Sequence, residues 1–152
     1  MKFLEMKLLD KRIGKQFPMP KYSSAGAAGL DLIACIDEDL MLAANQTVLV
    51  PTGIAIHINN PGYCAFILPR SGLGHKDGLI LGNSVGLIDS DYQGQLMVSC
   101  WNRSNKAFIL KPGVRFAQLV ILATFRPDIN IVSDFQHETI RAAGGFGSSG
   151  IN

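Results

Sequence analysis

Ile54, Ile56 and Ile58 alternate with Ala55 and His57, and the same two-residue rhythm recurs along the chain between glycine and proline punctuation. Successive side chains of an extended chain point to opposite sides, so this period predicts strands with one buried and one exposed face. Residues 47–50 read as a strand closed by a Pro51-Thr52-Gly53 turn, and Asn59-Asn60-Pro61-Gly62 as a turn leading into a strand over 63–68. Residues 79–81, 96–101, 108–110 and 116–123 follow the same pattern, with Lys111-Pro112-Gly113 as a further turn, and 3–9 and 30–34 are additional strand candidates. No long amphipathic helix is written into the chain; residues 71–76 offer a single helical turn. Many short strands with regular turn signals predict an all-β jelly-roll or β-barrel-like single domain. A chain of 152 residues is long enough to bury about two-thirds of its unfolded surface in one such domain.

Charge excludes some functions. Fourteen basic against twelve acidic residues leave a net charge of +2, too little to expect nucleic acid or an anionic membrane as partner. No apolar run approaches the ~18 residues of a membrane span. Lys2, Glu5 and Lys7 interrupt the apolar start of the chain, so no secretory core is present there, and a cytoplasmic protein is expected. Cys35, Cys64 and Cys100 are odd in number, lie in apolar contexts and lack metal-binding spacing, which predicts reduced, buried thiols. His57, His75 and His137 are scattered without companion ligands, so surface or structural roles are expected of them.

Five segments carry chemistry. In Gly86-Leu87-Ile88-Asp89-Ser90-Asp91-Tyr92-Gln93-Gly94, glycines frame two apolar residues, two acids and an aromatic. Such a stretch suits a tight hairpin whose main chain lies open to a ligand. An acid after two apolar residues is a candidate general base, because partial desolvation raises a carboxylate's basicity; a plain β-turn would use the same residues. Pro69-Arg70-Ser71-Gly72-Leu73-Gly74 follows an apolar strand, with Ser71 placed to cap a short helix. That is either a phosphate site of oriented N–H donors beside a fixed positive charge, or a capped turn with a solvated arginine. In Ala28-Gly29-Leu30-Asp31-Leu32 the acid sits between leucines and needs an arginine, a hydrated metal ion or backbone donors. Gln118 alternates into the same face as Phe116 and Val120 in the last long strand, where it meets a ligand or makes a core hydrogen bond. Finally, Gly144-Gly145-Phe146-Gly147-Ser148-Ser149-Gly150 has linker composition. It reads as a frayed end or, with Arg141 before it and Phe146 inside it, as a lid.

In this order and at this spacing, the five segments resemble the motifs of the trimeric dUTPase family (deoxyuridine 5′-triphosphate nucleotidohydrolases), and most closely its bacterial members. The resemblance implies a jelly-roll domain over residues 1–140 and a glycine-rich arm over 141–152 that closes an active site. It implies a hydrolase acting on acid anhydrides, dUTP diphosphatase, which limits dUTP and supplies dUMP for thymidylate synthesis. It also implies a homotrimer with active sites shared between subunits. Asp89 would orient and deprotonate the water that attacks the α-phosphorus. Asn83, the backbone of Leu87, Ile88 and Asp89, and Met97 would read uracil, and Tyr92 would pack under the deoxyribose. Arg70, Ser71, Gly72 and Gln118 would hold the phosphates, Arg141 would neutralise their charge, and Phe146 would stack on the base. Mg2+ would ride on the triphosphate, with Asp31 acting through water at most.

Three positions depart from the family pattern: Ala142 replaces a usual glycine, Gln93 an arginine, and Ser84 a residue that is often apolar. The rival on the same scaffold is a dCTP deaminase, which needs a glutamate base and releases ammonia. A catalytically idle binding protein would have lost Asp89 or Arg70, and both are present.

Overall fold

A computed structural model describes residues 3–145. The strands are β1 (Glu5–Leu8), β2 (Gly29–Ile33), β3 (Leu40–Leu42), β4 (Thr47–His57), β5 (Tyr63–Pro69), β6 (Leu79–Leu81), β7 (Gly86–Ile88), β8 (Gln95–Asn102), β9 (Phe108–Leu110) and β10 (Arg115–Ala123). They form two four-stranded sheets, ordered β1-β4-β8-β6 and β2-β10-β5-β7, with a two-stranded ribbon β3-β9. Every pairing between these strands is antiparallel. This is the jelly-roll arrangement that the turn-punctuated strands predicted.

Between the sheets lies one apolar core that includes Leu32, Ile54, Ile56, Ile67, Leu96, Val98 and Leu119, each at most 2% exposed. Full burial of such a side chain is worth about 1.5–3 kcal/mol, and their alternation along the strands sets which face of each sheet turns inward. Asn102 is buried but fully used. Its amide donates to the carbonyls of Leu42, Ala43 and Lys106 at 2.7–3.1 Å, and its Oδ1 accepts from Ser104, so the ribbon is tied to β8.

Two local expectations change. Pro51-Thr52-Gly53 is not a turn: β4 runs through it, with a register break between Pro51 and Ala55 and Gly53 at φ 72°. Thr52 is buried there and donates to Leu96 O at 2.8 Å, which is how a continuous strand absorbs the irregularity. Ala55 is also buried rather than exposed, because β4 is flanked by β1 and β8 and passes deep in the body.

After β10 the chain forms no further strand among the described residues. Thr124 N still donates to Gly62 O, but Phe125, Ile129, Ile131, Phe135 and Ile140 are 88–109% exposed. Phe146 lies outside the described residues.

Candidate active site

The register of the second sheet builds the first half of the site. Asp31 on β2 faces Gln118 on β10, and Gln118 faces Leu68 on β5 in turn, just before that strand ends at Pro69. The end of β5 therefore delivers Arg70, Ser71 and Gly72 to the place where Asp31 and Gln118 emerge. These residues, with Gly29, Ala28 and Ser23, line a polar cavity of about 410 Å³.

Asp31 is at the centre of this group. Its Oδ1 accepts from Arg70 Nε at 3.0 Å, and its Oδ2 accepts from Arg115 Nη1 at 2.9 Å and Ser23 Oγ at 3.0 Å. Of the partners left open by the sequence, arginine is therefore the answer, twice over. Arg70 Nη1 also donates to the Arg115 carbonyl at 3.0 Å, so two of its donors are fixed. Two guanidiniums against one carboxylate leave the node with a net positive charge beside the cavity. Gln118 Nε2 donates to Pro69 O at 3.0 Å.

A β-bulge at the start of β10 alters one expectation. The register with β2 shifts between Arg115 and Ala117, so Phe116 and Ala117 are both buried, and Gln118 does not share the face of Phe116. It lies half-buried toward the cavity instead. Ser71 does not cap a helix: the turn Leu73–Asp77 is a single π-helical turn whose N-terminal flank is Gly72, with no side-chain cap. So short a turn has little dipole, and any anion held here depends on Arg70, Gln118 and individual N–H groups.

The second half lies elsewhere on the chain. β7 pairs with β5 and β8 with β4 and β6, so the segment 86–94 is no tight hairpin with the strand that follows; it crosses from one sheet to the other. The crossing is pinned by Asn59 N donating to Ser90 O at 2.9 Å and Tyr92 N donating to Asp89 O at 3.2 Å. Asp89 and Leu87 border a cavity of about 430 Å³ together with Tyr63, Cys64, Asp91 and Arg126. Asp89 is exposed and Leu87 is 61% exposed, so the desolvation expected from its apolar neighbours is not supplied within one chain. Tyr92 folds over Gly94, its hydroxyl donating to Gln95 O at 3.0 Å, and a Cβ on Gly94 would collide with the ring.

Asn83, Tyr92 and Met97 line neither cavity. Asn83 sits in a tight turn with Ser84 at φ 64°, and Met97 is 40% exposed on β8 opposite Pro51. Arg141 is exposed and folded on its own turn, Nε donating to Gly144 O at 2.9 Å. Next to it Ala142 has φ 41°, so the residue standing in place of glycine adopts the conformation glycine favours.

Sequence reasoning gave Arg115 no role and passed over Ser23 and Arg126 entirely. A signal existed for Arg115: an unpaired acid on β2 called for a cation on a neighbouring strand. As a metal ligand Asp31 fits poorly, since both oxygens are engaged by arginines. Among the described residues no three His, Cys, Asp or Glu side chains converge to hold an ion.

Away from the site, Asp10 binds Arg12 in a fork at 2.6–3.2 Å, and Cys35 donates to Asp10 at 3.2 Å. The Arg12 side chain and backbone N–H hold the Asp10 carboxyl well below the usual carboxylate range. Burial and the Asp10 carboxylate push the Cys35 thiol up to about 11.

Comparison with known proteins agrees with the geometry. The family model dUTPase matches residues 15–150. The deoxyuridine 5′-triphosphate nucleotidohydrolase of Tolumonas auensis is 61% identical over 150 residues, covering 99% of each chain. The dUTPase of Staphylococcus bacteriophage 80alpha, solved with dUpNHpp, superposes with a TM-score of 0.86 at 26% identity, covering 99% of this chain and 100% of its own. A dUTPase mutant from phage phi11 of S. aureus, 22% identical with a TM-score of 0.77 over 90% of this chain and 100% of its own, is described as coordinating a structural Mg(II) ion.

Proposed function

The chain belongs to the dUTPase family, and from that premise we propose that its polar cavity holds the triphosphate of dUTP while Asp89 activates the attacking water. The reaction is hydrolysis of dUTP to dUMP and pyrophosphate. The observation that carries the assignment of roles is the convergence of Arg70, Ser71, Gly72 and Gln118 on one cavity beside a doubly paired Asp31.

Phosphoryl transfer asks mainly for positioning and electrostatic stabilisation. Arg70 supplies a fixed charge, Gln118 and the Ser71–Gly72 backbone supply donors, and Arg141 adds a second charge when the arm, residues 141–152, closes with Phe146 over the base. Asp89 accepts a proton from water as its oxygen bonds to the α-phosphorus. The bond from that phosphorus to the bridging oxygen breaks, and pyrophosphate leaves. Uracil is read by Asn83, Met97 and the main chain of Leu87 to Asp89. A buried donor or acceptor left unmatched by another base costs about 1–3 kcal/mol. Tyr92 leaves no room for a 2′-hydroxyl.

Magnesium belongs to the nucleotide in this reading, since it keeps several waters and takes phosphate oxygens readily. It screens the phosphate charge; Asp31 stays with its arginines.

The phosphate cavity and the Asp89 turn border different hollows of one chain, which supports a site assembled from several copies in a homotrimer; the pool it acts on in this reading is the cytoplasmic one. Sedimentation equilibrium giving a stable monomer would remove that part. Pyrophosphate release measured with dUTP, dCTP, dTTP and UTP tests the activity, with dUTP alone turned over. Asp89→Asn should abolish turnover while dUpNHpp still binds; normal turnover in that variant refutes the role of Asp89.

A further inference from the structure

We infer that Arg115 is a positioning residue for the triphosphate: it neutralises Asp31 from the side away from the nucleotide, so that Arg70 is held in place yet keeps its charge for the ligand. The inference rests on the polar cavity being the triphosphate site. Asp31 borders two hollows at once, the polar one and a smaller, mostly apolar one of about 220 Å³ lined by Pro18, Ile33 and Ile54. Arg70 borders only the first and Arg115 only the second. The carboxylate is thus a wall with one guanidinium on each side.

The two sides are not equivalent. Arg70 gives Nε to Asp31 and Nη1 to the Arg115 carbonyl, which leaves its Nη2 without a partner among the described residues. Arg115 gives Nη1 to the other carboxylate oxygen. If Asp31 faced Arg70 alone, the pair would be neutral and would offer a polyphosphate no net positive charge. With Arg115 behind the carboxylate, the group carries one positive charge and the orientation of Arg70 is retained. The same arrangement assigns Asp31 to the arginines rather than to magnesium.

The test is calorimetric binding of dUpNHpp and of dUMP, each in Mg2+ and in EDTA, to the intact protein and to Arg115→Ala, Arg115→Lys and Asp31→Asn. All three variants keep the Arg115 carbonyl that anchors Arg70, and Arg115 is half exposed, so folding should survive. Arg115→Ala should weaken dUpNHpp about tenfold or more and dUMP much less, because the effect scales with ligand charge. Arg115→Lys should recover part of the loss, since charge returns without the planar fork. Asp31→Asn should weaken dUpNHpp equally in Mg2+ and in EDTA. Unchanged dUpNHpp affinity in Arg115→Ala, or an Arg115→Lys as weak as the alanine variant, overturns the inference. A loss in Asp31→Asn that appears only with Mg2+ overturns it too, and returns Asp31 to the metal. Failure of the unsubstituted protein to bind dUpNHpp would instead sink the cavity assignment.

Discussion

Gly29 lies at the start of β2, opposite Val120, with the Gln118 side chain across it. A Cβ at this position would sit 2.6 Å from Gln118 Oε1 and 3.4 Å from its Cβ and Cδ. Gly29 is not among the positive-φ residues, so alanine meets no backbone objection and the conflict is with Gln118 alone. The end of a flexible side chain yields before a strand does, so in Gly29→Ala the amide should swing away and lose its 3.0 Å bond to Pro69 O. A neutral hydrogen bond of this kind contributes about 0.5–1.5 kcal/mol. Replacing glycine by alanine restores about 0.4–1 kcal/mol through the unfolded chain, so stability should change little. Function should change more. A donor aimed at a charged phosphate is worth about 1.5–3 kcal/mol, or roughly 10- to 150-fold in affinity. The assay is pyrophosphate release and thermal melting of Gly29→Ala, Gln118→Ala and the double variant. Gly29→Ala should raise the KM for dUTP into that range with a nearly constant Tm. In the Gln118→Ala background the same substitution should cost under about 0.5 kcal/mol, since nothing remains to displace. Equal effects in both backgrounds refute the link between these residues.

Ala142→Gly should relieve about 1 kcal/mol of left-handed strain at φ 41°; because the turn is already formed in the unliganded chain, the dUTP KM should stay unchanged, and a KM lowered several-fold would show that the strain arises on closure instead. A thiol reagent at pH 8 should leave Cys35 and Cys100 unlabelled in the folded protein, because burial pushes them up to about 11 and about 12, with the Asp10 carboxylate adding to the shift at Cys35. Label on either before unfolding contradicts this. The Asp10 carboxyl is held below its ordinary range, so its contribution to stability is present above about pH 4 and fades as pH falls below that. Asp10→Asn should therefore flatten the acid limb of stability against pH, and an unaltered limb would show that the Arg12 pairing persists in the unfolded chain.

Local periodicity and turn punctuation made most of the fold legible, because β5, β8 and β10 follow a two-residue period and the short apolar runs of β6 and β9 are marked off by glycine, proline or asparagine. It failed where a tertiary neighbour outvoted a local signal. Pro51-Thr52-Gly53 has turn composition, yet β8 supplies a carbonyl for Thr52 and the strand passes through as a bulge. Phe116 and Gln118 have the spacing of one face, but the bulge at Arg115 to Ala117 breaks the count. β3 is as short as β6 and β9 but has no glycine or proline beside it to mark its ends.

The site was legible in its residue types and illegible in its pairings, and the reason is distance along the chain. Asp31 and Arg115 are separated by 84 positions and meet only because β2 lies beside β10 in the sheet. The residues proposed to hold phosphate come together in one chain for the same reason: β2, β10 and β5 are neighbours, and their ends coincide. Asp89 follows β7, the outer strand beyond β5, and turns away toward the other sheet, so the topology that gathers Arg70 and Gln118 also keeps Asp89 apart from them. A carboxylate that must be partly desolvated to serve as a base is left exposed beside a 61% exposed Leu87, while the same chain carries Phe125, Ile129, Ile131, Phe135 and Ile140 with almost no cover. The proposed homotrimer would meet both deficits if each copy's uncovered apolar segment and reactive turn lay against another copy. On the proposed shared site, loss of the subunit contacts should cost activity before it costs the fold of the sheets.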